Sequence, residues 1–411
     1  MAAVVTDRRP RACVVRQHYV PRDTRVARAV GALADAGWEV DVLCLRAPGE
    51  PARERAGPVR IRRLPMRHRQ GGGAVGYALE YAGFLVAATL WVAGHAAARR
   101  YRLVQVHSLP DVLVLVGLVP RLLGARVLLD LQECMPEFFA TKFGVGPGHP
   151  VVRLLARLEQ RAVRLADHVV TPTTQMRAVF VGRGADPGRI TTVMDGADPA
   201  VFDPDAAGRG VAPAGTFVLI SHGTVEEHYG LDTVVRAVAL LRAETPAVHL
   251  AVYGDGADRD RLRGLAHELR VADRVAFSSG FVPVDELVAA LAGADAGVVA
   301  MRRDPFRDVA LPGKIFDFVA MRLPVIASRT RSVEETFGDA VALFEAGDAE
   351  DLARTVRGLA RDPGRRAALV AAATRATEPL RWEHQEAVYR GVVDDLAGRA
   401  APQRTDSRNA Q

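Results

Sequence analysis

Cysteine is nearly missing from this chain: Cys13, Cys44 and Cys134 are the only three in 411 residues, and none sits in a CxxC pair. That argues against a disulfide framework or a cysteine zinc site and fits a reducing cytosol. Aromatic residues make up 6% and are not interleaved with the arginines, so the stacking platform of a nucleic-acid binder is missing as well. The amino-terminal "MAAVVTDRRPRACVVRQ" runs into arginines and a strand pattern with no long apolar region before a cleavage site, so no signal peptide is expected. The greasiest run, "YAGFLVAATLWVAG" at 81–94, is shorter than the roughly 20 residues that span a bilayer. It predicts a buried or interfacial helix. No complete GxGxxG fingerprint occurs in "VYGDGADRD".

What is present is a globular composition, 49% hydrophobic and 25% charged, in a chain too long for one core. The net charge is +6. Arginine is dense between Arg8 and Arg69, in "RDTRVAR" and "RIRRLPMRHRQ". Two readings compete: a solvated basic face, or attraction to an anionic membrane surface beside the apolar run.

Strand-like runs alternate with helical patterns. "ACVVRQ" leads to "RVARAVGALADAG", Gly37 stops it, and "EVDVLCL" follows; then come "LVQVHS", a helix over Asp111–Leu123, "RVLLDLQ", a helix near 150–166 and "HVVTPT". The rhythm falters at "DPAVFDPDAAGRGVAPAG" (198–215), a linker composition, and restarts with "FVLISHG". The pattern predicts an α/β protein of two domains with parallel sheets, facing each other across a cleft. One domain covers 1–205 and the other 213–379; a helix at 380–398 returns to the first, and 399–411 form a disordered tail.

Ligands of such sheets sit where strands turn into helices. "ISHGTVEEHYGLD" is one such turn, with Gly223 positioned for close backbone approach or for an ordinary turn. Asp258 and Asp260 suit a helix start better than a metal site. "LPGKIFDFVAMRLPVIAS" (311–328) is more specific. Pro312 and Gly313 leave amides open at a helix start, Lys314 adds charge, and Asp317 can accept bonds from sugar hydroxyls, which together describe a ribose-diphosphate ligand. The structural alternative makes Asp317 a first-turn dipole partner and Lys314 a solvated lysine.

That stretch resembles the signature of GT-B glycosyltransferases of the family-four type, roughly P-x-K-x-x-E-Y-x-A-x-G-x-P-V-I-A-S, and the resemblance extends over nearly the whole chain. It implies a GT-B fold of two Rossmann-like doubly wound domains. The implied activity is sugar transfer from a nucleotide-diphosphate sugar to an acceptor hydroxyl, with retention and with neither cofactor nor essential metal. By position, Asp317 matches the acid on the ribose hydroxyls. Phe281 and Val282 match the base-contacting loop, and Leu311, Pro312 and Gly313 match the part that cradles diphosphate and donor sugar. Departures are visible. Val309 stands where the family has its first glutamate, and Thr224 and Tyr229 replace an arginine and a lysine, with His228 alongside. Gln132 replaces a histidine that touches the donor sugar.

Asp130 and Glu133 flank Gln132 as candidate bases or caps. On the acceptor side stand His18, Arg22, His107 and Asp111, the last equally readable as a helix N-cap. Trp382 reads as packing. The expected partners are a nucleotide sugar, an acceptor that is a lipid-linked glycan, a polysaccharide or a small metabolite, and the inner face of the membrane, with a cytoplasmic or peripheral location and no nucleic acid. Two rivals stay open: a catalytically degenerate binding subunit, motivated by the departures above, and a nucleotide-sugar epimerase.

Overall fold

The computed structural model describes residues 9–20, 23–68, 73–199, 201–206 and 215–398. Arg22, the middle of the linker and the tail at 399–411 lie outside the described residues. The chain forms two compact units, Met1–Val193 with Glu386–Gln411, and Met194–Gln385. The division falls earlier than the linker composition suggests. Met194 belongs to a core of the second unit, and Ala197, Val201 and Phe202 pack against that core.

In the first unit, β1 (Arg11–Tyr19), α1 (Thr24–Asp35) and β2 (Glu39–Leu45) open the fold. The side chain of Asp23 caps α1 by accepting from the Val26 amide at 3.2 Å. A hairpin of β3 (Arg53–Ala56) and β4 (Val59–Leu64) follows, then α2 (Ala74–Arg99) and β5 (Leu103–His107). The chain continues through α3 (Leu118–Leu122), β6 (Arg126–Asp130), α4 (Met135–Phe143), α5 (Pro150–Leu165), β7 (His168–Thr171), α6 (Thr174–Gly182) and β8 (Ile190–Thr192). The sheet order is β3-β4-β2-β1-β5-β6-β7-β8. All pairs are parallel except β3 with β4.

Two expectations change here. The helix expected over Asp111–Leu123 is a 3-10 helix from Asp111 to Gly117 before α3, and the valines at 112, 114 and 116 disfavour regular helix. The apolar run at 81–94 lies in a helix of 26 residues, α2, and only 17% of its most apolar window is buried.

The second unit runs β9 (Thr216–His222), α7 (Leu231–Leu240), β10 (Ala247–Tyr253), α8 (Arg259–Glu268), β11 (Val275–Phe277) and α9 (Val284–Ala292). It goes on with β12 (Ala296–Val299), α10 (Lys314–Ala320), β13 (Val325–Ser328), α11 (Arg331–Phe337), β14 (Ala342–Phe344), α12 (Ala349–Arg361) and α13 (Pro363–Thr377). The helix α14 (Trp382–Gly398) begins in this unit, and its residues from Glu386 onward belong to the first. The order β11-β10-β9-β12-β13-β14 is wholly parallel and reverses direction between β9 and β12. Such a switch point leaves a crevice beyond the strand ends. In the first unit the reversal lies between β1 and β5.

Candidate functional site

At the switch point of the second unit, β9 ends in His222, Gly223 follows, and α10 presents Lys314 and Asp317 beside them. The sequence makes this approach possible at two glycines. A Cβ on Gly297 in β12 would stand 2.3 Å from the Phe318 ring, so its absence lets α10 settle on the sheet. A Cβ on Gly254 would lie 1.8 Å from the Gly223 carbonyl oxygen, so the turns after β9 and β10 need glycine to close together. His222 packs edge-on against Phe318, with ring centroids 5.2 Å apart, and its Nε2 lies 3.5 Å from Asp317 Oδ2.

Charge at this point is unusual. Burial lowers the Lys314 ammonium to about 8, although Asp317 pulls the other way. Its Nζ lies 4.7 Å from the Tyr229 ring centroid, and a Cβ on Gly223 would be 3.9 Å from it. Burial and then Lys314 push His222 down to about 3. Burial, then Arg307 and other charges, push His228 down to about 4. Both imidazoles are therefore neutral near pH 7, and Lys314 carries the positive charge among these three. His222 Nε2 is buried without a hydrogen-bond partner.

The helix start is less open than its sequence suggests. The Ile315 and Phe316 amides donate back to the Pro312 and Gly313 carbonyls at 3.1 and 2.9 Å, leaving the amides of Gly313 and Lys314 outside these bonds. Leu311 packs against the core below. Phe281 is 69% exposed and Val282 half-buried in the turn after β11, while Thr224 is exposed. Val309 is buried, so the position of the family's first acid points an aliphatic group inward.

In the first unit the candidates separate into two groups. His107 is fully buried. Its Nδ1 lies 3.0 Å from Asp130 Oδ2 and 3.1 Å from Gln132 Nε2, and its Nε2 lies 3.1 Å from Gln105 Nε2. Tyr389 donates to Gln105 at 2.5 Å. On the other side Arg25 grips Asp130 with Nε at 2.9 Å from Oδ2 and Nη2 at 3.0 Å from Oδ1, and gives Nη1 to the Val193 carbonyl at 2.8 Å. Burial would raise the Asp130 carboxyl, but Arg25 and His107 win and hold it well below the carboxylate range. Asp130 is thus an occupied ionic anchor, poorly suited to take a proton.

Glu133 differs. It is half-buried, its Oε2 has no hydrogen-bond partner, and burial raises its pKa against the pull of Arg16 and Lys142. Asp111 makes no capping bond, so the N-cap reading fails. It is buried with Oδ1 unpartnered, and burial followed by Glu159 and Glu133 pushes its pKa well up. His18 is half-buried at the end of β1; burial and then Arg16 lower its pKa.

Sequence reasoning missed Arg25, Gln105, Tyr389 and His222. His222 had a local signal, since it is the last strand residue before Gly223 at a βα turn. Arg25 had none, because it sits in an arginine-rich run that otherwise reads as solvated surface.

Residues 23–196 match the family model "Glycosyl transferase 4-like domain" and residues 206–376 match "Glycosyl transferases group 1". A D-inositol 3-phosphate glycosyltransferase of Rhodococcus jostii is 34% identical over 241 residues, covering 55% of this chain and 52% of that protein. The protein of the same name from Kineococcus radiotolerans is 29% identical over 413 residues, covering 92% and 91%. The chain thus spans about half the length of the first relative and most of the second. The sucrose-phosphate synthase structure from Thermosynechococcus elongatus superposes with a TM-score of 0.76 at 21% identity, covering 95% of this chain and 100% of that one. At that identity the likeness speaks for the fold alone.

Proposed function

The chain belongs to the GT-B glycosyltransferases of the family-four type, and on that premise we propose that it moves a sugar from a nucleotide-diphosphate sugar to an acceptor hydroxyl. The observation that carries the donor side is the meeting of Lys314, Asp317 and His222 at the switch point of the second sheet. A diphosphate brings negative charge to a half-buried ammonium whose hydration is reduced, and the pairing offsets that loss. Asp317 is placed to accept bonds from ribose hydroxyls, and His222 offers a neutral ring nitrogen beside it.

The proposal includes retention of configuration and no essential metal. What supports the metal-free part is the positive charge that Lys314 brings to the switch point. On the acceptor side, Glu133 is the carboxylate suited to take a proton from the attacking hydroxyl, because its raised pKa makes it a better base than Asp130. Relatives named for D-inositol 3-phosphate make a polar, hydroxyl-bearing acceptor the class to try first.

The test is calorimetric titration with uridine and guanosine diphosphates. Asp317→Ala should weaken binding about tenfold to a hundredfold, the worth of a charge-assisted pair of bonds. Unchanged affinity would remove the donor-site assignment. The buried Val309, where the family has an acid, favours a second reading as a binding subunit. Sugar-dependent release of nucleoside diphosphate from a nucleotide-sugar panel separates the two.

A further inference from the structure

Helix α2 exposes a long face without one charged side chain. Val75, Leu79, Val86 and Leu90 are between 59% and 74% exposed and recur at spacings of four and seven, which is one helical stripe. The opposite stripe, Phe84, Ala88, Val92 and Ala96, is buried and fixes the helix to its unit. Glu80, the one acid of α2, is turned away to Gln17 at 2.5 Å and His68 at 2.7 Å. The short helix α3 packs beside α2 and extends the surface with Leu122, 87% exposed, and Leu123, 57% exposed. An apolar area of this kind on a folded unit marks a surface that something covers.

What covers it is indicated by α5. Both α2 and α5 pack against the turn at Asp111–Gly117, so they belong to one helical layer. Along the outer side of α5 run Arg153, Arg157, Arg161 and Arg164, all exposed, at spacings of four, four and three. None of the four has an acidic partner among the described residues. Other arginines of the unit are neutralised: Arg25 on Asp130, and Arg63 on Glu50 and Glu54. An uncharged apolar stripe beside an unpaired cationic stripe is complementary to a bilayer with anionic head groups.

We propose that the α2–α3 face is a bilayer-docking surface and that the α5 arginines direct it to anionic phospholipid. The helix lies along the interface, held by its buried stripe, and does not cross. This inference does not depend on the sugar-transfer reading.

The test uses the full chain in flotation with phosphatidylglycerol–phosphatidylcholine vesicles and with pure phosphatidylcholine vesicles. The parent should float with the first and far less with the second. Leu79→Glu/Leu90→Glu should abolish flotation with both. Arg157→Glu/Arg161→Glu should weaken the anionic binding by at least ~30-fold, since two basic residues at about 1 kcal/mol each remove about 2 kcal/mol and every 1.4 kcal/mol is tenfold. Circular-dichroism spectra and thermal melting of both variants should match the parent, which certifies that the first unit, where both variants lie, is folded. In the parent, brominated acyl chains should quench fluorescence that is lost in Trp91→Phe. No flotation by the parent, or flotation indifferent to both variants, would overturn the proposal. So would a dimer in light scattering that Leu79→Glu/Leu90→Glu splits, which would assign the face to a second copy.

Discussion

Replacing Lys314 with methionine should make the protein more stable and less able to bind nucleotide. The side chain becomes one atom shorter, stays unbranched and loses its charge. Burial lowers the ammonium from its ordinary 10.5 to about 8. A gap of that size corresponds to roughly 3 kcal/mol against the charged form in the folded state at pH 7. The substitution also forfeits the contact with the Tyr229 ring, 4.7 Å away, worth about 0.5–1 kcal/mol. The net expectation is a gain of about 2 kcal/mol, or several degrees at ~2–4 °C per kcal/mol for a unit of this size.

The pH dependence gives the sharper readout. The folded-state pKa lies below the unfolded one, so the penalty is complete below about 8 and fades as the pH rises from there to 10.5. Parent and Lys314→Met melting curves should differ at pH 7 and converge by the upper end of that window. Calorimetric scans with and without uridine or guanosine diphosphate measure both effects, because a bound ligand adds its own stabilisation. The parent should gain from nucleotide, and the variant should gain little. A variant that is less stable than the parent at pH 7 and still binds nucleotide as tightly would refute the reasoning.

Two other substitutions separate chemistry from architecture. Glu133→Gln should lower sugar transfer by about a hundredfold or more in an assay of nucleoside-diphosphate release, the usual worth of a general base, while leaving diphosphate affinity intact; a loss of affinity instead would make Glu133 a binding group. Asp130→Asn should cost about 3–5 kcal/mol in denaturant unfolding, because it strands the buried Arg25 guanidinium, and Arg25→Met in the same chain should recover part of that loss. Since the Asp130 pKa is depressed in the fold, the stability it supplies is present above its unfolded value of 3.8 and is lost as the pH falls below that, so the parent should lose this contribution on acidification and Asp130→Asn should not.

Much of the fold was legible because parallel sheets announce themselves. Strands buried on both faces, such as "FVLISH" and "VLLD", read as continuous apolar runs between amphipathic helices. Lys314 and Asp317 were legible as a pair because a charge and an acid at a helix start break an otherwise apolar pattern. The arginines were not legible. Arg25 and Arg63 lie in the runs that read as a basic surface, yet both are buried on acids, Arg25 on the distant Asp130 and Arg63 on Glu50 and Glu54 of the neighbouring hairpin region. The stripe that does face outward without partners lies on α5, where the sequence spacing alone is ordinary. Side-chain pairing across more than a hundred residues, as between Arg25 and Asp130, depends on tertiary register that composition does not encode. The same holds for the 26 residues of α2, whose apolar positions cover both faces, so no period separates the buried stripe from the exposed one.

The contrast between Asp130 and Lys314 gives a physical rule for telling support from site in this molecule. Both are ionisable and removed from water, so each starts with a desolvation cost. Asp130 has that cost met inside the fold, by two Arg25 nitrogens and His107, and its charge is consequently stabilised. Lys314 does not: Asp317 and the Tyr229 ring leave its pKa lowered, and the neighbouring His222 keeps a buried nitrogen without a partner. A group whose polar needs are met by its own chain has nothing left to offer a ligand, whereas one left short gains when an anion arrives. By that criterion the network around Asp130 holds the first unit together, and the cluster at the end of β9 is the place for the proposed diphosphate.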